Sequence, residues 1–224
     1  MQKSLKHKIV IIGCGNVAWH IAKHFSQLKK FDIEVYNHKV NKLLNDFKTK
    51  LKCSIKPNFD KINLDADYYF ICVTDKFISA TAKKIKIQNK NALLIHTSGS
   101  AKLSELGNLQ NAAVFYPLQS FSKNDEVNWK ETPIIIEAKN EELKKQILVL
   151  TNYFSKNIYS LNYKERLKLH LAAVLVNNFT NALFVVASNL ITKESASKDI
   201  KILLPLIKQT VSKIVKMNPL ESQT

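Results

Sequence analysis

The stretch Lys8-Ile-Val-Ile-Ile-Gly-Cys-Gly-Asn-Val-Ala-Trp-His-Ile-Ala-Lys-His-Phe25 limits what this chain can fold into more than any other. It opens with a continuous β-branched apolar run, Ile9 to Ile12, the pattern of a strand buried on both faces. The run stops at Gly13 and Gly15, after which Val17, Ala18, Ile21, Ala22, Phe25 and Leu28 recur at helical spacing. Strand, glycine turn and helix in that order are the context in which a dinucleotide fingerprint has meaning. Gly13 permits the tight turn, and Gly15 lets a pyrophosphate approach the backbone. Ala18 stands where a third glycine would allow close packing of helix on strand. The amides of Asn16 and Val17 then face a phosphate at the positive end of the helix dipole. Half of the chain's four glycines sit in this one turn.

The remainder alternates in the same way. Strands are predicted at Asp32–Asn37, Cys53–Lys56, Asp67–Val73, Ala92–His96, Ala113–Tyr116, Pro133–Glu137 and Asn157–Leu161. Helices are predicted at Asn41–Lys50, Lys76–Lys86 and Glu141–Phe154, with a short one from Ala101 that Gly107 ends. This alternation implies an α/β fold, a doubly wound, mainly parallel sheet of Rossmann type over residues 1–161. From Asn162 the strand signal vanishes. A long helix to about Lys193 and another from Ser197 to Lys216 predict a smaller all-α C-terminal domain, residues 162–224.

A formal charge of +16 invites a nucleic-acid reading, which the composition opposes. Arg166 is the only arginine, and the lysines are spread along the whole chain. A surface built for bidentate phosphate and base-edge contacts uses arginine. Three cysteines, Cys14, Cys53 and Cys72, lie far apart and form no disulfide framework, which predicts a reducing interior. Met1 to Lys8 leads straight into a core strand without a signal-peptide pattern, so a cytoplasmic location is expected. Leu171–Ile191 has the length of a membrane span, but Asn177, Asn178, Asn181 and Asn189 are poorly suited to lipid. No membrane association is expected, and the helix is predicted to be buried between domains or subunits.

In an open parallel sheet, ligands bind beyond the carboxyl ends of the strands. Those ends are the Gly13–Gly15 turn, Asn37-His38-Lys39, Val73-Thr74-Asp75, His96-Thr97-Ser98 and Tyr116-Pro117-Leu118-Gln119. NAD-selective sites usually carry an acidic residue at the end of the second strand. Asn37, His38 and Lys39 instead suit a 2′-phosphate and point to NADP. Asp75 and Ser100 have the ordinary role of capping the helices that follow them. A histidine at a strand end, His96, can exchange a proton near neutral pH. On the long helix, Arg166, His170, Val174, Asn177 and Asn181 fall at steps of four, four, three and four, on one face. That polar stripe lines either a cleft or a subunit seam. No metal-ligand spacing and no Ser/His/Asp arrangement is present.

The residues Gly13-Cys-Gly-Asn-Val-Ala18, Val73-Thr-Asp75, His96-Thr-Ser-Gly-Ser100, Tyr116-Pro-Leu-Gln-Ser-Phe121 and His170-Leu-Ala-Ala-Val174 with Asn177-Asn-Phe179 carry a resemblance over nearly the whole chain. The chain resembles bacterial Rossmann-like proteins with a C-terminal helical domain of unknown function. These are relatives of pyrroline-5-carboxylate reductase, deazaflavin-dependent NADP oxidoreductase and the 6-phosphogluconate dehydrogenase superfamily. The resemblance implies a dinucleotide-binding domain, a helical domain that often dimerises, and an oxidoreductase role. Tyr116 stands where many members have a histidine, and after Glu221-Ser-Gln-Thr224 the family is expected to continue into further helix.

Together these readings predict an NADP-dependent oxidoreductase transferring hydride to or from a small molecule; a nucleotide-binding sensor without turnover is the alternative. Gly13, Gly15, Asn16, Val17, Ala18, Asn37, His38, Lys39, Val73, Thr74, Asp75, Thr97 and Ser98 are the candidate cofactor residues, and His96, Gln119, His170 and Asn177 the candidates for catalysis. The long helix is expected to form a homodimer, because it is apolar almost all round.

Overall fold

The apolar runs become strands and the periodic segments become helices wherever the pattern is strong. The computed structural model describes residues 6–107, 111–194, 199–217 and 220–221. Its strands are β1 (His7–Ile12), β2 (Phe31–Tyr36), β3 (Ser54–Lys56), β4 (Tyr68–Ile71), β5 (Leu93–His96), β6 (Ala112–Pro117), β7 (Ile134–Ala138) and β8 (Ile158–Ser160). Helices α1 (Asn16–Gln27), α2 (Lys42–Leu51), α3 (Ile78–Lys84) and α4 (Glu141–Thr151) connect them, and α5 (Tyr163–Val174) follows β8. Among the described residues the strands form one sheet in the order β3-β2-β1-β4-β5-β6-β7-β8. Every neighbouring pair is parallel except β6 and β7, which run antiparallel with Tyr116 opposite Ile135 and Val114 opposite Glu137. The fold class is therefore α/β, with a mostly parallel Rossmann-like sheet.

Alternate residues of each strand enter different cores. Ile9 and Ile11 of β1, Phe70 of β4, Ile95 of β5 and Phe115 of β6 pack against Ala18, Ile21, Ala22 and Phe25 of α1 and Leu143, Ile147 and Leu150 of α4. Val10, Ile12, Tyr69, Ile71 and Leu94 face the other way, onto Ile78 and Ala82 of α3. Each of the Ile, Leu, Val and Phe side chains among them, almost wholly buried, contributes about 1.5–3 kcal/mol over an exposed one.

The predicted short helix at Ala101 is a 3₁₀ turn, Leu103–Leu106, closed by Gly107 at φ +80°. Its entry is shaped by the Ser98 hydroxyl, which accepts the amides of Ser100 and Ala101 at 3.1 and 2.9 Å. Ser98, not Ser100, thus organises this turn. Asp75 likewise caps nothing: it lies inside the 3₁₀ turn Asp75–Phe77, and its carboxylate accepts the Ser100 hydroxyl.

The sheet ends near the boundary expected at Leu161, but the compact unit that contains it continues to Leu171. A second unit begins at Ala172. It holds the end of α5, a π-helical stretch Leu175–Phe179, α6 (Thr180–Glu194), a 3₁₀ turn Ile200–Leu203 and α7 (Leu204–Lys216). The predicted start of the last helix, at Ser197, lies outside the described residues. The π-helical turn, with its i→i+5 bonding, shifts the angular phase, so steps of three and four no longer keep Asn177 and Asn181 on one line. Leu175, Val176, Phe179, Leu183, Val185, Val186 and Leu190 are all exposed in the single chain. Among the described residues one helical run, Tyr163–Ile191, is long and apolar enough to cross a membrane by length and composition.

Candidate functional site

The glycine turn has the geometry its sequence implies. Gly13 adopts φ +111°, and a Cβ built there meets the carbonyl oxygen of Cys72 at 2.3 Å. Its amide donates to the carbonyl of Tyr36 at 2.8 Å, which ties the end of β1 to the end of β2. Gly15 is the N-cap of α1, and a Cβ there meets nothing within 4 Å. Among the described residues no side chain caps α1, and its first turn carries no acidic residue. The first amides of a helix have no partners within it. The open space at Gly15 lies at the positive end of the dipole, a setting that fits a pyrophosphate. Ala18 is fully buried, so the helix sits close on the strand.

At the end of β2, the Asn37 side chain is buried and its Nδ2 donates to the carbonyl of Lys39 at 2.8 Å. Asn37 therefore shapes the turn, while His38 and Lys39 are exposed on it. Asn16 also has a structural bond: its Nδ2 donates to the carbonyl of Phe121 at 2.8 Å. With His20 Nε2 bonded to the Ser122 carbonyl at 2.8 Å, this pins the Ser120–Glu131 loop along α1. Neither contact is legible in the sequence, because each joins residues about a hundred positions apart.

The other strand ends converge on the side of the sheet opposite α1. His96, Val114 and Glu137 stand in register across β5, β6 and β7. Over this row lies the fully buried guanidinium of Arg166 from α5. Its Nε and Nη2 reach Glu137 Oε2 at 3.1 and 2.8 Å; Nη1 donates to the carbonyls of Ser98 and Gly99 at 3.0 and 2.9 Å, and Nη2 to that of Ala101 at 2.8 Å. All five N–H groups of an arginine are thereby engaged. The clamp fixes the 98–101 loop to the sheet, so Arg166 is a structural part of the polar stripe.

Burial, then the neighbouring Arg166 charge, drives His96 down to about 3. The ring is neutral at neutral pH and fully buried, with Nδ1 accepting the Ser98 amide at 3.2 Å. Its place is that of a loop-organising residue, and contact with a substrate, as the sequence suggested, does not follow from it.

One turn beyond Arg166, His170 Nδ1 lies 3.0 Å from Tyr116 Oη. The rings meet edge to face at 5.8 Å, and both side chains are half-buried. Burial raises the Tyr116 hydroxyl above its ordinary value, with Arg166 pulling it down and Asp75 pushing it up, so it remains a phenol at neutral pH. Gly99 is the floor beneath the pair: a Cβ on it meets His170 Nδ1 at 2.6 Å and Tyr116 Cζ at 2.7 Å. The pairing of Tyr116 with His170 was not legible in sequence, whereas a third glycine among four, placed after a strand end, was a usable signal.

The remaining predicted residues divide. Thr74 and Asp75 are exposed, Val73, Thr97 and Ser98 half-buried, all at the carboxyl ends of β4 and β5. Gln119 is exposed and its Oε1 accepts the next residue's amide at 2.8 Å. Asn177 lies in the second unit, exposed, donating to Asn178 at 2.8 Å.

With this geometry in view, the comparisons are specific. Residues 8–99 match the family described as NADP oxidoreductase, coenzyme F420-dependent, and residues 132–224 match the domain of unknown function DUF2520. The chain is similar in structure to a Bacteroides fragilis protein assigned as an NADP oxidoreductase, at 29% identity and a TM-score of 0.89, covering 99% of this chain and 85% of that one. It shares its fold with prephenate dehydrogenase from A. aeolicus, solved with hydroxyphenyl propionate and NAD+, at 13% identity and a TM-score of 0.69, covering 96% and 80%. It also shares it with a pyrroline-5-carboxylate reductase from Coxiella burnetii, at 15% and 0.63, covering 94% and 80%. A comparison with curated proteins gives no match. The resemblance drawn from the motifs is thus borne out: a Rossmann-like domain of the NADP oxidoreductase type followed by a DUF2520 domain. These matches support a nicotinamide-dinucleotide-dependent oxidoreductase.

Proposed function

We propose that this protein is an NADP-dependent oxidoreductase acting on a small molecule. The reading is carried by the turn after β2, where Asn37 holds His38 and Lys39 outward, with no carboxylate, beside the glycine turn. In this reading Gly13, Gly15 and the amides of Asn16 and Val17 hold the pyrophosphate. His38 and Lys39 hold the 2′-phosphate, Thr74 and Ser98 flank the ribose and nicotinamide, and His170 and Gln119 orient the substrate. The bound nicotinamide supplies or accepts a hydride. Calorimetric titration is expected to give NADPH at least tenfold tighter binding than NADH. Lys39→Glu is expected to weaken NADPH by about tenfold, roughly 1.4 kcal/mol, and to spare NADH. Equal affinities in the parent protein, or an unchanged NADPH affinity in the variant, count against the NADP assignment.

The same reading includes a homodimer through the long C-terminal helix. Its support is the apolar side chains of α6 left exposed in the single chain, among them Leu183 at 67% and Leu190 at 72%. Light scattering at micromolar concentration is expected to give twice the chain mass, and Leu183→Asp to give the monomer. A parent monomer removes this part of the reading.

A further inference from the structure

We propose that Tyr116 and His170 form a two-residue proton relay, in which Tyr116 acts through His170 on a substrate that carries a carbonyl or imine. The proposal rests on the oxidoreductase reading and adds to it the class of substrate and the source of the proton. Three observations on the first unit carry it. Tyr116 Oη and His170 Nδ1 are 3.0 Å apart, a hydrogen bond between two groups that can each carry a proton. Gly99 leaves room for both rings, and no larger residue fits there without moving them. The loop that bears Gly99 is held by Arg166 through the carbonyls of Ser98, Gly99 and Ala101, so the floor of the pair is rigid.

The polarity of the bond follows from the chemistry of the two groups. The phenol keeps its proton, and an imidazole nitrogen is a better acceptor than a phenol oxygen. Tyr116 O–H therefore donates to Nδ1, and in that tautomer the ring's own proton is on Nε2. Nδ1 and Cγ are the ring atoms that a Cβ built on Gly99 would meet, at 2.6 and 2.9 Å, and Nε2 lies on the other side of the ring. Nε2–H is thus the donor left for the substrate in this proposal.

When a C=O or C=N group has received a hydride at carbon, the π-electron pair rests on the heteroatom, which needs one proton. The heteroatom takes the proton of Nε2, and Nδ1 takes the proton of Tyr116, which leaves a half-buried phenolate and an imidazole with Nε2 bare. Nε2 then takes a proton from water and Nδ1 returns its own to the phenolate, so that one hydride and one proton have entered the substrate and the pair is restored. Tyr116 is in this scheme a positioning and relay residue, since His170 alone meets the substrate.

Tyr116→Phe keeps the ring over Gly99 and removes only the hydroxyl, which makes it the decisive variant. Long-range proton–nitrogen correlation on protein labelled with ¹⁵N-histidine, with His170 assigned through His170→Gln, reads the bond directly without any turnover. The expected result is an unprotonated, hydrogen-bonded Nδ1 and a protonated Nε2 in the parent, with the Nδ1 resonance moving to that of a free acceptor in Tyr116→Phe. In NADPH-dependent reduction, kcat is expected to fall by about 100-fold, the lower end of what a positioned acid contributes, with NADPH affinity unchanged. A proton inventory in mixed light and heavy water is expected to change from two protons in the parent to one in the variant. A protonated Nδ1 in the parent, or normal reduction with an unaltered Tyr116→Phe rate and inventory, overturns the relay alone. Failure of the parent to reduce any carbonyl or imine overturns the oxidoreductase reading, and the relay with it.

Discussion

Gly13→Ala is expected to lose NADPH binding and on the order of 2–5 kcal/mol of stability together. Two independent penalties meet at this residue. The backbone stands at φ +111°, where a side chain is strained, and the added Cβ falls 2.3 Å from the Cys72 carbonyl oxygen. That obstacle is backbone and cannot swing aside as a flexible side chain would. Relief requires β1 and β4 to part beyond Ile12 and Ile71, the last registered pair between them. The same movement displaces the start of α1, and with it the amides proposed to hold the pyrophosphate. Gly15→Ala is the control, since its Cβ meets nothing within 4 Å. Denaturant titration should place it within about 0.5 kcal/mol of the parent, while calorimetry is expected to show weakened NADPH binding, because the methyl enters only the space proposed for the ligand. A Gly13→Ala protein of parental stability would refute the packing argument.

Arg166→Met is expected to cost about 3–5 kcal/mol, the usual consequence of removing one partner of a buried ion pair. Methionine retains much of the volume, so the loss is polar. Glu137, only 16% exposed, is left without its cation, and the carbonyls of Ser98, Gly99 and Ala101 lose their donors. Arg166→Lys should recover little, since one ammonium cannot serve five directions in a plane. Thermal unfolding checks both variants. Arg166→Met with Glu137→Leu should be less destabilised than Arg166→Met alone, because the orphaned carboxylate is gone. A melting temperature for Arg166→Met within a degree or two of the parent would show that the clamp is redundant.

Much of this architecture was legible because buried parallel strands are written as short continuous apolar runs. Ile9–Ile12, Tyr69–Ile71 and Leu93–Ile95 needed no tertiary information to be recognised. Direction was not legible: nothing in the alternation of β7 says that it runs against β6, since apolar spacing is the same either way. The glycine turn and the non-acidic end of β2 were readable from local chemistry. His96 was misread for a physical reason, as a strand-end histidine looks identical in sequence whether it meets solvent or lies beneath an arginine. Arg166 drew attention as the lone arginine, yet its partners, Glu137 and three carbonyls, are set by tertiary packing. The capping roles assigned to Asp75 and Ser100 failed because each found the other's side chain instead.

The reversal between β6 and β7 acts as a ruler. Because β7 and β8 run against β6 and the strands before it, β8 heads toward their amino-terminal ends, closing level with Phe115, and α5 turns back toward their carboxyl ends. Arg166 is the zero mark, locked to the row of His96, Val114 and Glu137. Four residues of helix advance about 6 Å, and two residues of strand about 6.6 Å, so His170 draws level with Tyr116 just as β6 moves from Val114 to Tyr116. The height of the histidine above the sheet is metered by helix pitch from a fixed anchor. Had β7 continued the parallel run, the helix would set out from the carboxyl edge of the strands and carry His170 away from it.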